Sequence, residues 1–196
     1  MKIYIPPNSP FLTSDTRTKR WAVPYHSECI NGRIGVLLDN NRQHLQNKSI
    51  LDIGSHTGIF SWAALQLGAK FTHGIDVEKR TTKRCIELFS KESISTSKYK
   101  FETNDVLDFL EGVEKDSFDT VFCFGVLYYM TEPYRLLKLM ARAAKETILI
   151  DTFTTSYSAV QGKDAPRTHP HLTNQILSLP LMISCPTQTE KKDYNL

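Results

Sequence analysis

Between Ser49 and Phe153, short apolar runs alternate with segments of helical periodicity, and this constrains the fold more than any other feature of the chain. Runs rich in β-branched and aromatic residues fall at 49–53, 70–76, 98–103, 118–124 and 146–153. They are almost continuously apolar, as strands covered on both faces must be, whereas a strand with one wet face would alternate. Between them, Phe60, Ala63, Ala64 and Leu67 share one helical face that Gly68 ends. Further helices are expected over 78–92 and 105–112. A last one has Thr131 as cap, Pro133 in its first turn, and Leu136, Leu137, Met140, Ala141 and Ala144 as its buried stripe. Five β-α repeats with short connections predict an α/β fold, a doubly wound and mostly parallel sheet.

The flanks read differently. Pro6, Pro7, Pro10 and Pro24 keep residues 1–26 irregular, with Arg17, Lys19 and Arg20 clustered beside Trp21. From Ser27, read as an N-cap, Ile30, Ile34, Leu37, Leu38 and Leu45 predict one amphipathic helix to about Gln46. Beyond Phe153 the pattern dissolves: 154–174 are polar, and 175–184 are apolar but broken by Pro180. The expected organisation is one globular domain with an arm and lead-in helix at 1–48, a ligand-binding core at 49–153 and an irregular segment at 154–196 that lies on the substrate side or forms a lid. With 196 residues and 40% hydrophobic content, the chain can fill one such core. Its 24 basic and 21 acidic residues leave +3, so no global field recruits a polyanion. Cys29, Cys85, Cys123 and Cys185 lie far apart without zinc-ligand spacing, so no metal site is expected and a reducing compartment is. No signal-type apolar region or membrane-length run is visible, which predicts a soluble, cytoplasmic protein with no membrane partner.

In a doubly wound sheet, ligands bind where the strands' carboxyl ends meet the switch in strand order. The stretch Ile50-Leu51-Asp52-Ile53-Gly54-Ser55-His56-Thr57-Gly58 supplies the first such turn. Gly54 and Gly58 allow left-handed backbone and close ligand approach, and Asp52 can accept hydrogen bonds. Asp76 ends the second strand, placed to take both hydroxyls of a ribose or to cap the next helix. Asn104-Asp105 ends the third, placed to accept from an adenine amino group or to cap a helix. Phe124-Gly125 ends the fourth and leads into Tyr128-Tyr129. A dinucleotide fingerprint would need glycines where His56 and Ile59 stand, and a P-loop lysine is missing, so a ligand with ribose and adenine but no pyrophosphate fits better.

These residues resemble the class I S-adenosylmethionine-dependent methyltransferases over about 49–153: Asp52 to Gly58 as first motif, Asp76 as ribose acid, Asp105 as adenine-side acid, and Phe118-Asp119 onward as fourth strand. Ser61-Trp62, Gly68-Ala69, Gly74-Ile75-Asp76 and Gly125 through Pro133 look like the tRNA wobble-uridine carboxymethyl/methyl-transferase branch. The resemblance implies S-adenosylmethionine as cofactor and a seven-stranded Rossmann-like sheet closed by an antiparallel hairpin, which residues 154–196 hardly supply, so the hairpin is reduced, the chain is shortened or a partner covers the edge. It implies cofactor contacts at Asp52, Gly54, Ser55, His56, Gly58, Asp76, Val77, Asn104, Asp105, Val106, Phe124 and Gly125. His56 replaces a glycine usual in the family and is expected to point outward. Tyr128 and Tyr129 are candidates for orienting an acceptor or holding a carboxylated cofactor, and His169, flanking Pro170 with His171, for a base or lid; Tyr25 and His26 are candidates for capping the cofactor.

Methyl transfer from a sulfonium is an in-line displacement that needs positioning more than a catalytic dyad. The expected acceptor is a small molecule or a tRNA base. DNA is not expected, because Phe124-Gly125-Val126-Leu127 stands where DNA amino-methylases carry D/N/S-P-P-Y/F/W. Lys79, Arg80, Lys83 and Arg84 form a basic cluster that is either a solvated face or a contact to tRNA phosphates. A homo-oligomer is compatible with an open sheet edge. The alternatives are a noncatalytic S-adenosylmethionine-binding subunit that needs a partner chain and, disfavoured by the glycine pattern, a nicotinamide-binding protein.

Overall fold

The computed structural model describes residues 2–13 and 26–152. Strands β1 (Ser49–Ile53), β2 (Phe71–Asp76), β3 (Tyr99–Thr103), β4 (Phe118–Phe124) and β5 (Ala144–Asp151) form one sheet in the order β3-β2-β1-β4-β5. Every pairing in it is parallel. Each strand lies within two residues of its expected bounds. The helices are α1 (Pro10–Thr13), α2 (Ser27–Leu37), α3 (Ile59–Gln66), α4 (Lys79–Lys91), α5 (Val106–Glu111) and α6 (Pro133–Ala143). Strand order reverses between β1 and β4, which opens the crevice a doubly wound sheet offers to ligands.

The alternation of side chains along each strand divides the core in two. Ile50 and Phe122 join a cluster with Ile30 and Ile34 of α2, Ala63 and Ala64 of α3, and Leu88 and Phe89 of α4. Leu51, Ile53, Val121 and Cys123 join Leu110 of α5 and Leu136, Met140 and Ala143 of α6. Register at the amino end is pinned by Asp119, whose Oδ2 accepts from both Ser49 N (2.8 Å) and Ser49 Oγ (2.9 Å). Asp119 therefore lies at the end of the sheet opposite the crevice.

The structure corrects three local expectations. The lead-in helix stops at Leu37, and a 3-10 helix, Asp39–His44, follows. Asn41 Nδ2 donates to the carbonyls of Val36 (3.3 Å) and Leu37 (3.0 Å), taking acceptors that a continued helix would use. The apolar period survives the change, since Ile30, Ile34, Leu38 and Leu45 are all fully buried. Second, His26 rather than Ser27 caps α2, its Nδ1 accepting from Cys29 N at 3.4 Å. Ser27 is buried and donates to Ile5 O. Third, α6 begins behind Glu132 rather than Thr131, and its buried stripe is Leu136, Met140 and Ala143; Ala141 is exposed and Ala144 already opens β5.

The amino-terminal segment is strapped onto α2. Asn31 Oδ1 accepts from Ile5 N (2.7 Å) and Asn31 Nδ2 donates to Ile5 O (2.8 Å), so one side chain satisfies both backbone groups as a neighbouring strand would. Ile3, Ile5, Phe11 and Leu12 are buried beneath the strap.

Candidate functional site

The turn after β1 has three left-handed residues in five: Gly54 (φ 67°), His56 (φ 48°) and Gly58 (φ 75°). A Cβ on Gly54 would overlap Val126 Cγ2, and one on Gly58 would sit 2.9 Å from Phe89 Cε2 and 3.0 Å from Phe101 Cζ. Both positions thus need glycine for space as well as for conformation. The turn's own amides are spent inside the protein. Gly54 N (2.8 Å) and Ser55 N (3.0 Å) both donate to Ile75 O, Gly58 N donates to Ser55 O (2.7 Å), and His56 N donates to Asp76 Oδ2 (2.9 Å).

His56 does not point outward as the sequence reading expected: it is 9% exposed. Its amide is held by Asp76 and its carbonyl accepts the Cys85 thiol at 2.6 Å, and these two anchors turn the residue into the protein. Ser55 is buried as well.

Two carboxylates face this turn. Asp52 is 2% exposed and its Oδ2 accepts from Ser61 Oγ at 2.6 Å. Burial pushes its carboxyl up to about 7, against the opposing Ser61 hydrogen bond, and the nearby charge of Asp76 pushes the same way as burial. Asp76 Oδ1 accepts from Glu78 N (2.9 Å) and Thr81 Oγ1 (3.1 Å), while Oδ2 takes His56 N. It therefore steadies the start of α4 and holds the turn in a single stroke. Asn104 N donates to Asp76 O (3.0 Å), which brings the end of β3 alongside. Asp105 caps α5, its Oδ1 accepting from Leu107 N (2.8 Å) and Asp108 N (3.4 Å). Asn104 and Asp105 are exposed, Val77 is 44% exposed and Val106 is half-buried, so the rim on this side is open to a ligand.

Across the switch point, the ring of Phe124 lies in the core 5.0 Å from Phe60, leaving only its backbone near the crevice. Gly125 (φ 77°) donates its N–H to Asp151 O at 2.8 Å. Asp151 Oδ2 accepts from Arg33 Nε (2.8 Å) and Nη2 (2.6 Å), and the guanidinium lies 4.7 Å over the Phe60 ring. A Cβ on Gly125 would be 3.3 Å from Tyr128 Oη and 3.9 Å from Arg33 Nη2, so these groups converge on one point. Burial, then the neighbouring Tyr129, pushes the Tyr128 phenol well above its ordinary range, so it stays a neutral donor. The Tyr128 and Tyr129 rings are 4.4 Å apart. Sequence reasoning missed Arg33, Asp151 and Ser61. The one signal for Arg33 was that it is the sole basic residue in Ser27–Leu37. His169, His171, Tyr25, Arg17, Lys19, Arg20 and Trp21 lie outside the described residues, and His26, as cap of α2, pairs with Glu28 at 2.9 Å.

Among the described residues, no group of three or more His, Cys, Asp or Glu side chains is placed to hold a metal ion, and no helix is long and apolar enough to cross a membrane.

A family model described as "Methyltransferase domain" matches residues 44–191. The chain belongs to this methyltransferase family. A tRNA U34 carboxymethyltransferase from Campylobacter hominis is 36% identical over 96 residues, covering 48% of this chain and 31% of that protein. A second, from Helicobacter pylori, is 30% identical over 125 residues, covering 59% of this chain and 46% of that protein. The methyltransferase chain thus spans less than half the length of these relatives. Among solved structures, YcgJ from Bacillus subtilis superposes with a TM-score of 0.56 at 17% identity, over 63% of this chain and 51% of that one. The cyclase SpnF superposes with a TM-score of 0.54, also at 17% identity, over 65% of this chain and 45% of that one. Both likenesses confirm the doubly wound, Rossmann-like fold.

Proposed function

We propose that the crevice binds S-adenosylmethionine and that this chain transfers the activated methyl group to a tRNA base or a small molecule. The observation that carries the reading is the spending of the turn's amides. A pyrophosphate at this position would need free backbone N–H groups. Here four of the five amides from Gly54 to Gly58 are already bonded within the protein, and one of them is held by a carboxylate. Such a turn repels a dinucleotide phosphate and suits a nucleoside with hydroxyls and a positive charge.

The residues present fit that ligand. Asp76 accepts three hydrogen bonds, and a carboxylate has about four lone-pair sites, so room remains for a ribose hydroxyl. Asp105 keeps Oδ2 beyond its capping bonds for an adenine amino group. Asp52 and Asp76 together favour a cation, and a bound cation would in turn favour ionised Asp52. Gly125 leaves the floor between β1 and β4 without a side chain, and Tyr128, a neutral donor, faces that opening. The sulfonium supplies an activated methyl group, and the chain's part is to align donor and acceptor and to exclude water. A tRNA base is preferred as acceptor because the curated relatives named above act on tRNA, and such an acceptor would place the reaction in the cytoplasm.

Calorimetric titration with S-adenosylmethionine, its demethylated product and NAD tests the ligand; binding of NAD in place of the other two overturns the proposal. Transfer of labelled methyl to bulk tRNA or to a metabolite panel tests the reaction. Cofactor binding without transfer to either would favour the noncatalytic subunit.

A further inference from the structure

α4 carries its charge against the rules of helix stability. Lys79–Lys91 holds five basic residues and one acid, a surplus of four positive charges on a chain whose total is +3, so the remainder of the molecule sums to −1. Lys79 and Lys83, and Arg80 and Arg84, are like-charge pairs four residues apart, which repel along a helix surface. The first turn has no acidic residue and two cations, at the end where the helix dipole is positive. Local conflicts of this kind concentrate where function requires them. The opposite face of the helix is ordinary: Thr81, Thr82, Cys85, Leu88 and Phe89 are buried. That face is bonded to the crevice, through Thr81 Oγ1 to Asp76 and the Cys85 thiol to the His56 carbonyl. Lys79, Arg80 and Lys83 are exposed, and α4 begins three residues after Asp76, so the cations flank the mouth of the crevice. The acids facing them are Glu78, which pairs with Arg80, and Glu87, which pairs with Arg84 and also feels the charge of Lys83; among the described residues neither Lys79 nor Lys83 makes a direct ion pair.

We infer that the outer face of α4 is a docking surface for the phosphate backbone of an RNA acceptor, with Lys79 and Lys83 at its centre. This rests on the methyltransferase reading only for the role of the RNA as acceptor. Charge complementarity supplies affinity and register without base specificity, as phosphate contacts do. Because the same helix is bonded to the turn and to Asp76, an RNA held there would lie beside the cofactor crevice.

The test is fluorescence anisotropy of labelled bulk tRNA against the full chain over a sodium chloride series, for the parent and for Lys79→Gln/Lys83→Gln. The expected result is binding at low salt that weakens about tenfold or more in the variant, with the slope of log affinity against log salt shallower by about 1.5–2. The variant relieves one like-charge pair and part of the dipole conflict, so its thermal midpoint should hold or rise, which separates lost contact from lost fold. Calorimetry with S-adenosylmethionine should give the same affinity for both proteins. Failure of that ligand to bind the parent counts against the methyltransferase reading, while the tRNA series still decides the surface. Equal tRNA affinity in parent and variant overturns the inference, as does absence of tRNA binding by the parent. Charge-dependent binding to phosphatidylglycerol vesicles with none to tRNA overturns it too.

Discussion

The two sides of the crevice are built differently. On the β1–β2 side, Gly54 is bonded to Ile75, and His56, Asp76, Thr81 and Cys85 hold one another, across separations of at most 29 residues and chiefly through backbone groups and one carboxylate. On the β4–β5 side, the decisive bond is Arg33 to Asp151, which spans 118 residues and joins the lead-in helix to β5. The first side is set by local chain geometry and survives as a motif. The second exists only once the sheet has assembled. They meet where Gly54 packs against Val126.

That seam is the place to break the comparison. Gly54→Val would require a β-branched residue at φ 67° and overlap Val126, so we expect a loss of about 3–5 kcal/mol by urea denaturation. A loss below about 1 kcal/mol would mean that the two sides are not in contact there. Asp76→Ala strips the acceptor from His56 N, Glu78 N and Thr81 Oγ1 and should cost about 1–3 kcal/mol of stability together with at least tenfold in S-adenosylmethionine affinity by calorimetry. Unchanged affinity in a folded variant would remove Asp76 from the site.

Asp52 sharpens the contrast through pH. Its folded value of about 7 lies above its ordinary one, so the folded state holds the proton more tightly and the parent loses stability as pH rises from about 4 to about 7. Asp52→Asn lacks that slope. The variant should gain on the parent by about 4 kcal/mol between pH 4 and pH 8 in paired thermal melts, and a constant difference would contradict the burial argument. The smallest effect is on the other side. Arg33→Met leaves a partly exposed carboxylate at Asp151 and should cost about 1 kcal/mol, less at high salt, with much of it returned in Arg33→Met/Asp151→Asn.

The same contrast explains what the sequence disclosed. The five strands could be read because parallel strands covered on both faces leave unbroken apolar runs. The turn could be read because left-handed backbone selects Gly54 and Gly58 within four residues of each other. Asp105 was ambiguous for a physical reason, since one carboxylate both caps α5 and faces the rim. The end of α2 was hidden because Asn41 stops it by a side-chain bond that apolar periodicity does not record. Ala141 and Ala143 differ by two positions and not at all in composition from the expected stripe, so only packing could choose between them. Arg33 had no local pattern, its partner being the far end of the sheet.

The grip of Asn31 on Ile5 gives the chain's first residues leverage over that far end. Asn31 and Arg33 sit two residues apart on α2, so whatever peels Ile5 away loosens the helix that carries the Asp151 counter-ion. Clipping a dozen residues from the amino terminus would then be felt across the molecule, at the β4–β5 side of the crevice.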